Sequence, residues 1–144
     1  ILHTGGARPE GLDAGWYYLP TVLGCSNQGI RSTQVELFGP VMSVLSFDTE
    51  ADAVAMANDT EFGLAAGIFT ADVSRVHRVA GAIRTGIVWV NTYRAISPIA
   101  PFGGFGNSGS GREAGVDAIR EFTRTKTVWI NTSAEPMSNP FTIR

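Results

Sequence analysis

Between residues 41 and 91 the sequence alternates three short apolar runs with two segments of helical periodicity, and this alternation constrains the fold more than any other feature. The apolar runs have the continuous character of buried strands and cover 41–47 (VMSVLSF), 64–70 (LAAGIFT) and 87–91 (IVWVN). A chain that proceeds strand, helix, strand, helix, strand forms right-handed crossovers, so its strands become parallel. Because helices then cover both faces of the sheet, each strand is apolar along its whole length. The sequence therefore predicts an α/β fold with a parallel, three-layer sheet flanked by helices.

Each of the two intervening helices begins at a capping residue. Asp48 and Thr49 can cap the first helix, which ends near residues 58–59. Asp72 is the candidate N-cap of the second helix. The apolar residues of that second helix recur at intervals of three and four and so share one face: Val73, Val76, Ala80 and Ile83.

The remainder of the chain adds elements on both sides of this region. The first forty residues predict a strand pair or meander that feeds the sheet. After a long glycine-rich loop we expect a helix within 113–122 and a strand over 125–131 (TKTVWIN). The last residues predict an irregular tail that contains Pro136 and Pro140.

Length, charge and cysteine content limit the class of protein. The chain has 144 residues and a net charge of -2, and its basic residues are spread singly, which argues against a nucleic-acid partner. No apolar run approaches the roughly 20 residues that cross a bilayer, so no membrane segment is predicted. A single cysteine, Cys25, excludes an internal disulfide and a cysteine-based metal cage and suits a reducing compartment, which predicts a cytoplasmic location. His3 and His77 share no ligand spacing, so no metal site is predicted.

Because the chain opens at Ile1 and enters a strand-like stretch at once, we expect it to be part of a longer polypeptide.

Two sequence patterns resemble a nucleotide-binding loop and a catalytic cysteine, but the residues around them do not fit those functions. Residues 104–109 (GFGNSG) match the string G-x-G-x-x-G, but loop residues separate them from the preceding strand. No acidic residue ends a following strand about 20 positions further on, as a dinucleotide site requires. Cys25 could be a nucleophile only with a base, a cation or a helix N-terminus beside it, and its neighbours form a polar turn. Both features are therefore interpreted as structural.

Two other segments, 36–40 and 101–113, have a composition that core packing alone does not explain. Glu36 comes just before the first buried strand, where a carboxylate can accept hydrogen bonds from both hydroxyls of a ribose, and Phe38 can pack against a flat heterocycle. The alternative is a solvated glutamate and a core phenylalanine before a turn. Residues 101–113 (PFGGFGNSGSGRE) contain so many glycines that the backbone must adopt positive-φ conformations or pack closely against something. Phe102 lies beside these glycines as an aromatic wall.

Four ordered motifs resemble those of the aldehyde dehydrogenase superfamily. They are E-x-F-G-P at 36–40, N-D-T-x-x-G-L-A-A at 58–66, G-x-x-W-V-N at 86–91 and P-F-G-G-x-x-x-S-G-x-G-R-E at 101–113. The resemblance covers practically the whole chain but only the closing third of such an enzyme, so the chain is identified as the C-terminal portion of the catalytic domain. Two departures are Val35, where many members have a second glutamate, and Gly106, where many have a lysine.

The resemblance implies a role for each matching residue. Glu36 would bind the hydroxyls of the nicotinamide ribose of NAD or NADP, and Phe38 would pack near the nicotinamide. Phe102 matches a residue of the tunnel that admits the aldehyde substrate. Arg94 and Ile96 fall in the variable loop that shapes the mouth of this tunnel. An arginine at that place would favour an anionic substrate; the alternative is that Arg94 is a solvated surface residue.

The resemblance also implies what the chain lacks and what it joins. In the family a cysteine nucleophile forms a thiohemiacetal with the aldehyde, NAD(P) accepts the hydride, and a glutamate base activates the water that releases the carboxylic acid. The cysteine and the glutamate lie upstream of this region, so no catalytic residue is expected here and the chain alone should be inactive. Residues 1–124 would be the C-terminal part of the catalytic domain, and 125–144 an oligomerisation strand and tail that joins a homodimer or homotetramer.

Two other classes remain as alternatives. One is a non-catalytic α/β binding or assembly module derived from the same fold. The other is a flavodoxin-like nucleotide protein, which would need phosphate-binding glycines directly after a first strand, and the sequence lacks them there.

Overall fold

A computed structural model describes residues 1–135, 139 and 141. The helices and strands, in chain order, are β1 (Leu2–Thr4), β2 (Thr21–Gly24), α1 (Arg31–Gln34), β3 (Val41–Val44), α2 (Glu50–Asn58), β4 (Phe62–Gly63), β5 (Ala65–Ile68), α3 (Val73–Ala82), β6 (Ile87–Val90), β7 (Phe105–Gly106) and α4 (Ala118–Glu121). The part of the predicted tail at 136–138, 140 and 142–144, including Pro136 and Pro140, lies outside the described residues.

The predicted alternation of strands and helices is confirmed between β3 and β6. Helix α2 begins at Thr49, whose hydroxyl accepts a hydrogen bond from the Asp52 N–H at 3.1 Å while the Asp52 carboxylate accepts one from the Thr49 N–H at 3.1 Å. This reciprocal capping box fixes Thr49 as the N-cap. Helix α3 begins at Asp72, whose carboxylate accepts from the Arg75 N–H at 3.1 Å. Its buried face centres on Val79, which the predicted stripe did not contain.

The described strands form three small sheets and not the one parallel sheet that was predicted. Strand β2 pairs with β1 antiparallel and with β3 parallel, β5 pairs with β6 parallel, and β4 pairs with β7 antiparallel. A crossover helix sets the direction of the two strands that it connects but does not make them neighbours. Strands β3 and β5 are parallel to their own partners, and the described part of the chain contains no ladder between them.

Very little of the chain is buried. Ile68 and Val79 are the buried hydrophobic residues within the described ranges. The accessible surface is 11663 Å², whereas a folded monomer of 15.3 kDa exposes roughly 7,100 Å². Strand β3, which was predicted to be buried on both faces, leaves Met42 56% and Val44 45% exposed. The chain therefore exposes about 4,500 Å² more than its mass requires.

The predicted strand over 125–131 does not form in this chain. These residues belong to no helix or strand, and their side chains are exposed, with Trp129 at 91%. A strand needs a neighbour for its N–H and C=O groups, and among the described residues none pairs with this segment. The predicted helix within 113–122 is confirmed as the single turn of α4.

An ion-pair cluster joins α2 to α3. Glu50 accepts hydrogen bonds from Arg78 at 2.9 Å through both carboxylate oxygens and from Arg75 Nε at 3.0 Å. The Arg78 guanidinium, opposed in part by desolvation and helped by Arg75, lowers the pKa of Glu50 to about 2. The two helices are thus connected at the start of α2 by charge-assisted bonds.

Candidate functional site

An open cavity of about 570 Å³ lies between three parts of the chain. One wall is the segment 33–38, the second consists of the ends of α2 and α3 with the residues that follow them, and the third is the β4 region with residues 107–108. Its lining includes both Glu36 and Phe38. The structure thus brings the two predicted cofactor residues to one surface.

Both side chains face solvent. Within the described residues, the Glu36 carboxylate forms no hydrogen bond or ion pair, so its acceptor positions are free for hydroxyl donors. Phe38 is 92% exposed and has φ +50°, a left-handed conformation that a bulky residue rarely adopts. The predicted alternative, a core phenylalanine before a turn, is therefore wrong.

Two glutamine side chains hold the segment that carries Glu36, and the sequence reasoning missed both. Gln34 donates from Nε2 to the Asp59 carbonyl at 2.8 Å and to the Gln28 carbonyl at 3.0 Å. Gln28 donates from its own Nε2 to the carbonyl of Met56. Amide side chains in a polar turn carry no sequence signal that distinguishes such anchors from solvated residues.

The glycine-rich loop supplies the third wall through a very short antiparallel pairing. Strand β7 pairs with β4, the Asn107 N–H donates to the Glu61 carbonyl at 2.8 Å, and the Gly63 N–H donates to Ser108 Oγ at 3.0 Å. Ser108 is thereby fixed over β4, between the first cavity and a second one of about 330 Å³. The pairing of residues 62–63 with 105–106 was not predicted, because a two-residue strand leaves no periodic pattern.

Phe102 lines the second cavity together with Gly103 and Gly104. Its backbone is held by a two-way bridge to Glu113, with both N–H to O distances at 2.7 Å. Leu64 and Ser108 line both cavities, so the Phe102 side adjoins the Glu36 side. The structure places the predicted tunnel residue next to, but not inside, the cavity of the cofactor residues.

The predicted crowding of the glycines is confirmed. Gly104 is buried, and a Cβ atom on it would lie 2.5 Å from the Ser108 Cβ. A Cβ on Gly86 would overlap the carbonyl oxygen of Gly103. These glycines are needed where backbone packs on protein, which supports the structural interpretation of the G-x-G-x-x-G string.

Arg94 and Ile96 lie in the loop after β6, outside the lining of both cavities. Trp89 Nε1 donates to the Ala95 carbonyl at 2.7 Å and the Trp89 ring meets Tyr93 edge to face at 5.3 Å. The Arg94 guanidinium lies 5.4 Å from the centre of the Tyr93 ring, and Ile96 is 68% exposed. The loop is anchored at its base and presents Arg94 and Ile96 at its surface.

Within the part of the chain that the structure describes, Cys25 has no activating group among its contacts. The Cys25 sulfur lies 3.8 Å from Ser32 Oγ and 3.9 Å from the Leu23 carbonyl, both neutral oxygens. Among the described residues, no three His, Cys, Asp or Glu side chains are grouped so as to hold a metal ion. The helices in those same ranges are too short or too polar to cross a bilayer.

Comparison with known proteins relates this arrangement to one family. The sequence model described as "Aldehyde dehydrogenase family" matches residues 1–128. The chain belongs to the aldehyde dehydrogenase family. Its two predicted cofactor residues and its glycine-rich loop all fall inside the matched range.

Three relatives in this family cover nearly all of the chain. It is 54% identical over 144 residues to the (Z)-2-((N-methylformamido)methylene)-5-hydroxybutyrolactone dehydrogenase of Acinetobacter baylyi, matching 99% of this chain and 29% of that protein. It is 46% identical over 131 residues to the betaine aldehyde dehydrogenase of Brucella anthropi, matching 90% and 27%. The solved AldA indole-3-acetaldehyde dehydrogenase of P. syringae, in complex with NAD+ and IAA, superposes with a TM-score of 0.84 at 45% identity, over 90% of this chain and 26% of that one. The chain therefore spans less than a third of the length of each of these relatives.

Proposed function

We propose that this chain works as part of a longer NAD(P)-dependent aldehyde dehydrogenase, which oxidises an aldehyde to a carboxylic acid. The observation that carries the proposal is the shared cavity of Glu36 and Phe38, in which a carboxylate without a partner and an exposed aromatic ring face the same space. The relative from P. syringae was solved with NAD+ bound, which supports NAD or NADP as the cofactor. When bound, that cofactor accepts the hydride that leaves the aldehyde carbon.

The two residues divide the recognition of the cofactor between them. The Glu36 carboxylate accepts hydrogen bonds from the two hydroxyls of the nicotinamide ribose, and these bonds are strong because the acceptor is charged. The Phe38 ring offers an apolar face for the nicotinamide. Neither residue attacks the substrate or transfers a proton in this proposal. Their task is to hold the cofactor in one orientation.

We assign Phe102, Arg94 and Ile96 to the substrate tunnel and its mouth. Phe102 is half-buried beside the cavity of Glu36, which supports a position where an aldehyde meets the cofactor. In the described residues Arg94 contacts a ring but no carboxylate, so its charge is available to an anionic aldehyde. The test compares kcat/KM of the complete enzyme and of its Arg94→Ala variant for anionic, aromatic and aliphatic aldehydes. We expect kcat/KM to fall selectively for the anionic aldehydes. An equal effect on all three classes would overturn the role of Arg94.

We propose that the nucleophile and the base come from the rest of the polypeptide and that the 144-residue chain alone is inactive. The surface excess of about 4,500 Å² supports packing against further protein, because the exposed residues include many large apolar side chains. The parallel sheet predicted from the sequence would then form when further strands pair with the free edges of β3 and β5. Aldehyde-dependent NADH formation by the pure 144-residue chain would contradict this. The alternative is a non-catalytic α/β binding or assembly module, which would show no dehydrogenase activity even in its complete polypeptide.

We further propose a division at residue 124, with 125–131 adding as a strand to a neighbouring subunit in a homodimer or homotetramer. Val128, Trp129 and Ile130 are all more than two-thirds exposed, so a partner strand would bury them. A strictly monomeric complete enzyme in sedimentation at micromolar concentration would refute this role. The free thiol of Cys25 supports the prediction of a cytoplasmic location.

The proposal is tested by Glu36→Gln in the complete enzyme. Loss of charge-assisted hydrogen bonds costs about 1.5 to 3 kcal/mol, so the KM for NAD should rise roughly 10- to 150-fold. Glu10→Gln is the matched control, because Glu10 is also exposed but lies outside the cavity. An unchanged KM for NAD in Glu36→Gln would overturn the assignment of the ribose contact.

A further inference from the structure

The segment that carries Glu36 is attached to the C-terminal end of α2 by side-chain amides. Gln34 lies two residues before Glu36 and lines the same cavity. Its amide donates to the Asp59 carbonyl at 2.8 Å and to the Gln28 carbonyl at 3.0 Å, so one side chain connects the turn to the helix end. Gln28 adds a second connection, to the Met56 carbonyl.

Physical chemistry explains why an amide donor belongs at this position. The last carbonyls of a helix have no partner within the helix and carry the negative end of its dipole. Asp59 is the C-cap of α2, so its carbonyl is one that requires an outside donor. Gln34 supplies that donor and uses its second N–H on its own turn. A carboxylate in the same place would offer no donor and would meet two carbonyl oxygens.

The connection joins two walls of the cavity. The turn provides the wall that contains Glu36, while Ala57 and Thr60, on either side of the helix end, belong to the opposite wall. Within the described residues the Glu36 side chain forms no hydrogen bond of its own. Its position therefore depends on its backbone, which the Gln34 side chain holds against α2.

We infer that Gln34 is a positioning residue, which sets the place of Glu36 by fixing its segment to the end of α2. This inference rests on the proposed function of Glu36 as the ribose contact. Gln34 itself touches no substrate in this scheme, and its effect on cofactor binding passes through Glu36.

The test is Gln34→Glu in the complete polypeptide that carries this sequence, because glutamate has the same size but lacks both donors. We expect the KM for NAD to rise about tenfold, while kcat at saturating NAD changes little. In a Glu36→Gln background the same substitution should have no further effect, since the residue on which it acts is already lost. Asn27→Ala is the control: the Asn27 amide contacts Ser26 and Gly29 within the turn and does not reach α2. Equal effects of Gln34→Glu in both backgrounds, or no effect in either, would refute the positioning role.

A second measurement keeps this inference separate from the proposed function. The N–H groups of Thr33 and Val35 donate to the carbonyls of Ile30 and Arg31 at 2.9 and 3.0 Å, so hydrogen exchange at these two amides reports whether the turn is held. Gln34→Glu should speed their exchange, and Asn27→Ala should not speed it at Val35. If the wild-type polypeptide neither binds NAD nor oxidises aldehydes, the proposed function fails; unchanged exchange in Gln34→Glu refutes the attachment itself.

Discussion

Replacing Asn58 by alanine should loosen the junction between α2 and α3 at the edge of the cavity. The Asn58 side chain donates from Nδ2 to the Ala82 carbonyl at 2.9 Å and accepts from the Arg84 N–H at 2.8 Å. It therefore joins the last turn of α2 to the end of α3, beside two cavity residues, Ala57 in α2 and Ile83, the C-cap of α3. A third bond, from Arg84 Nη2 to the Asn58 carbonyl at 2.8 Å, uses the backbone and survives the substitution.

The magnitude follows from the number of bonds that are lost. Each net hydrogen bond contributes about 1 kcal/mol, so Asn58→Ala should destabilise the junction by about 2 kcal/mol. Local opening would then be about 30-fold more frequent. Asn58→Asp keeps the acceptor for the Arg84 N–H but loses the donor to Ala82, so about a fivefold change is expected.

Native-state hydrogen exchange at the Ile83 amide, which donates to the Val79 carbonyl at 3.0 Å at the end of α3, measures this opening without involving Asn58 itself. Asn131→Ala is the control, because the Asn131 side chain accepts from the N–H of Ser133, two residues further on, in an exposed segment. If Asn58→Ala leaves the Ile83 exchange rate unchanged, or if Asn58→Asp changes that rate as much as Asn58→Ala does, the two bonds do not hold the helices together and the reasoning is wrong.

Two other perturbations address the ion-pair cluster and the crowded glycines. The pKa of Glu50 is lowered from 4.5 to about 2 by its bonds to Arg78 and Arg75, so the stability that it contributes is complete above 4.5 and disappears as pH falls toward 2. The difference in unfolding temperature between wild type and Glu50→Gln should therefore narrow over that range, and a constant difference would contradict the ion pair. Gly104→Ala should cost about 1 to 3 kcal/mol in urea unfolding because its Cβ meets Ser108, while Gly81→Ala, in an open part of α3, should stabilise by up to about 1 kcal/mol. Equal behaviour of the two alanine variants would show that crowding at Gly104 is not the cause.

Features that depend on neighbours in the sequence were predictable. The caps at Thr49 and Asp72 and the end of α2 follow from residues within four positions of each other. The crowding of Gly103 and Gly104 was also foreseeable, because glycines accumulate where backbone approaches backbone. The four motifs placed the chain in its family for the same reason, since each is a local string.

Features that depend on distant partners could not be read in this way. The apolar pattern of 125–131 is that of a strand, but a pattern cannot supply the neighbour that makes one. Strand β3 is apolar enough for burial on both faces, yet Met42 remains exposed because nothing in the described chain covers it. Gln34 escaped notice because its partner, the Asp59 carbonyl, has no side-chain identity that a sequence could reveal.

The hydrogen bonds that assemble the cavity bear on how the chain folds. The bond from Gln34 to Asp59 spans 25 positions, and that from Gly63 to Ser108 spans 45. Loop-closure entropy grows only with the logarithm of length, so the second closure costs about 0.5 kcal/mol more than the first. That difference is too small to impose an order of assembly. We therefore expect the Glu36 wall and the Ser108 wall to form in one cooperative transition, with no long-lived intermediate that has only half of the cavity.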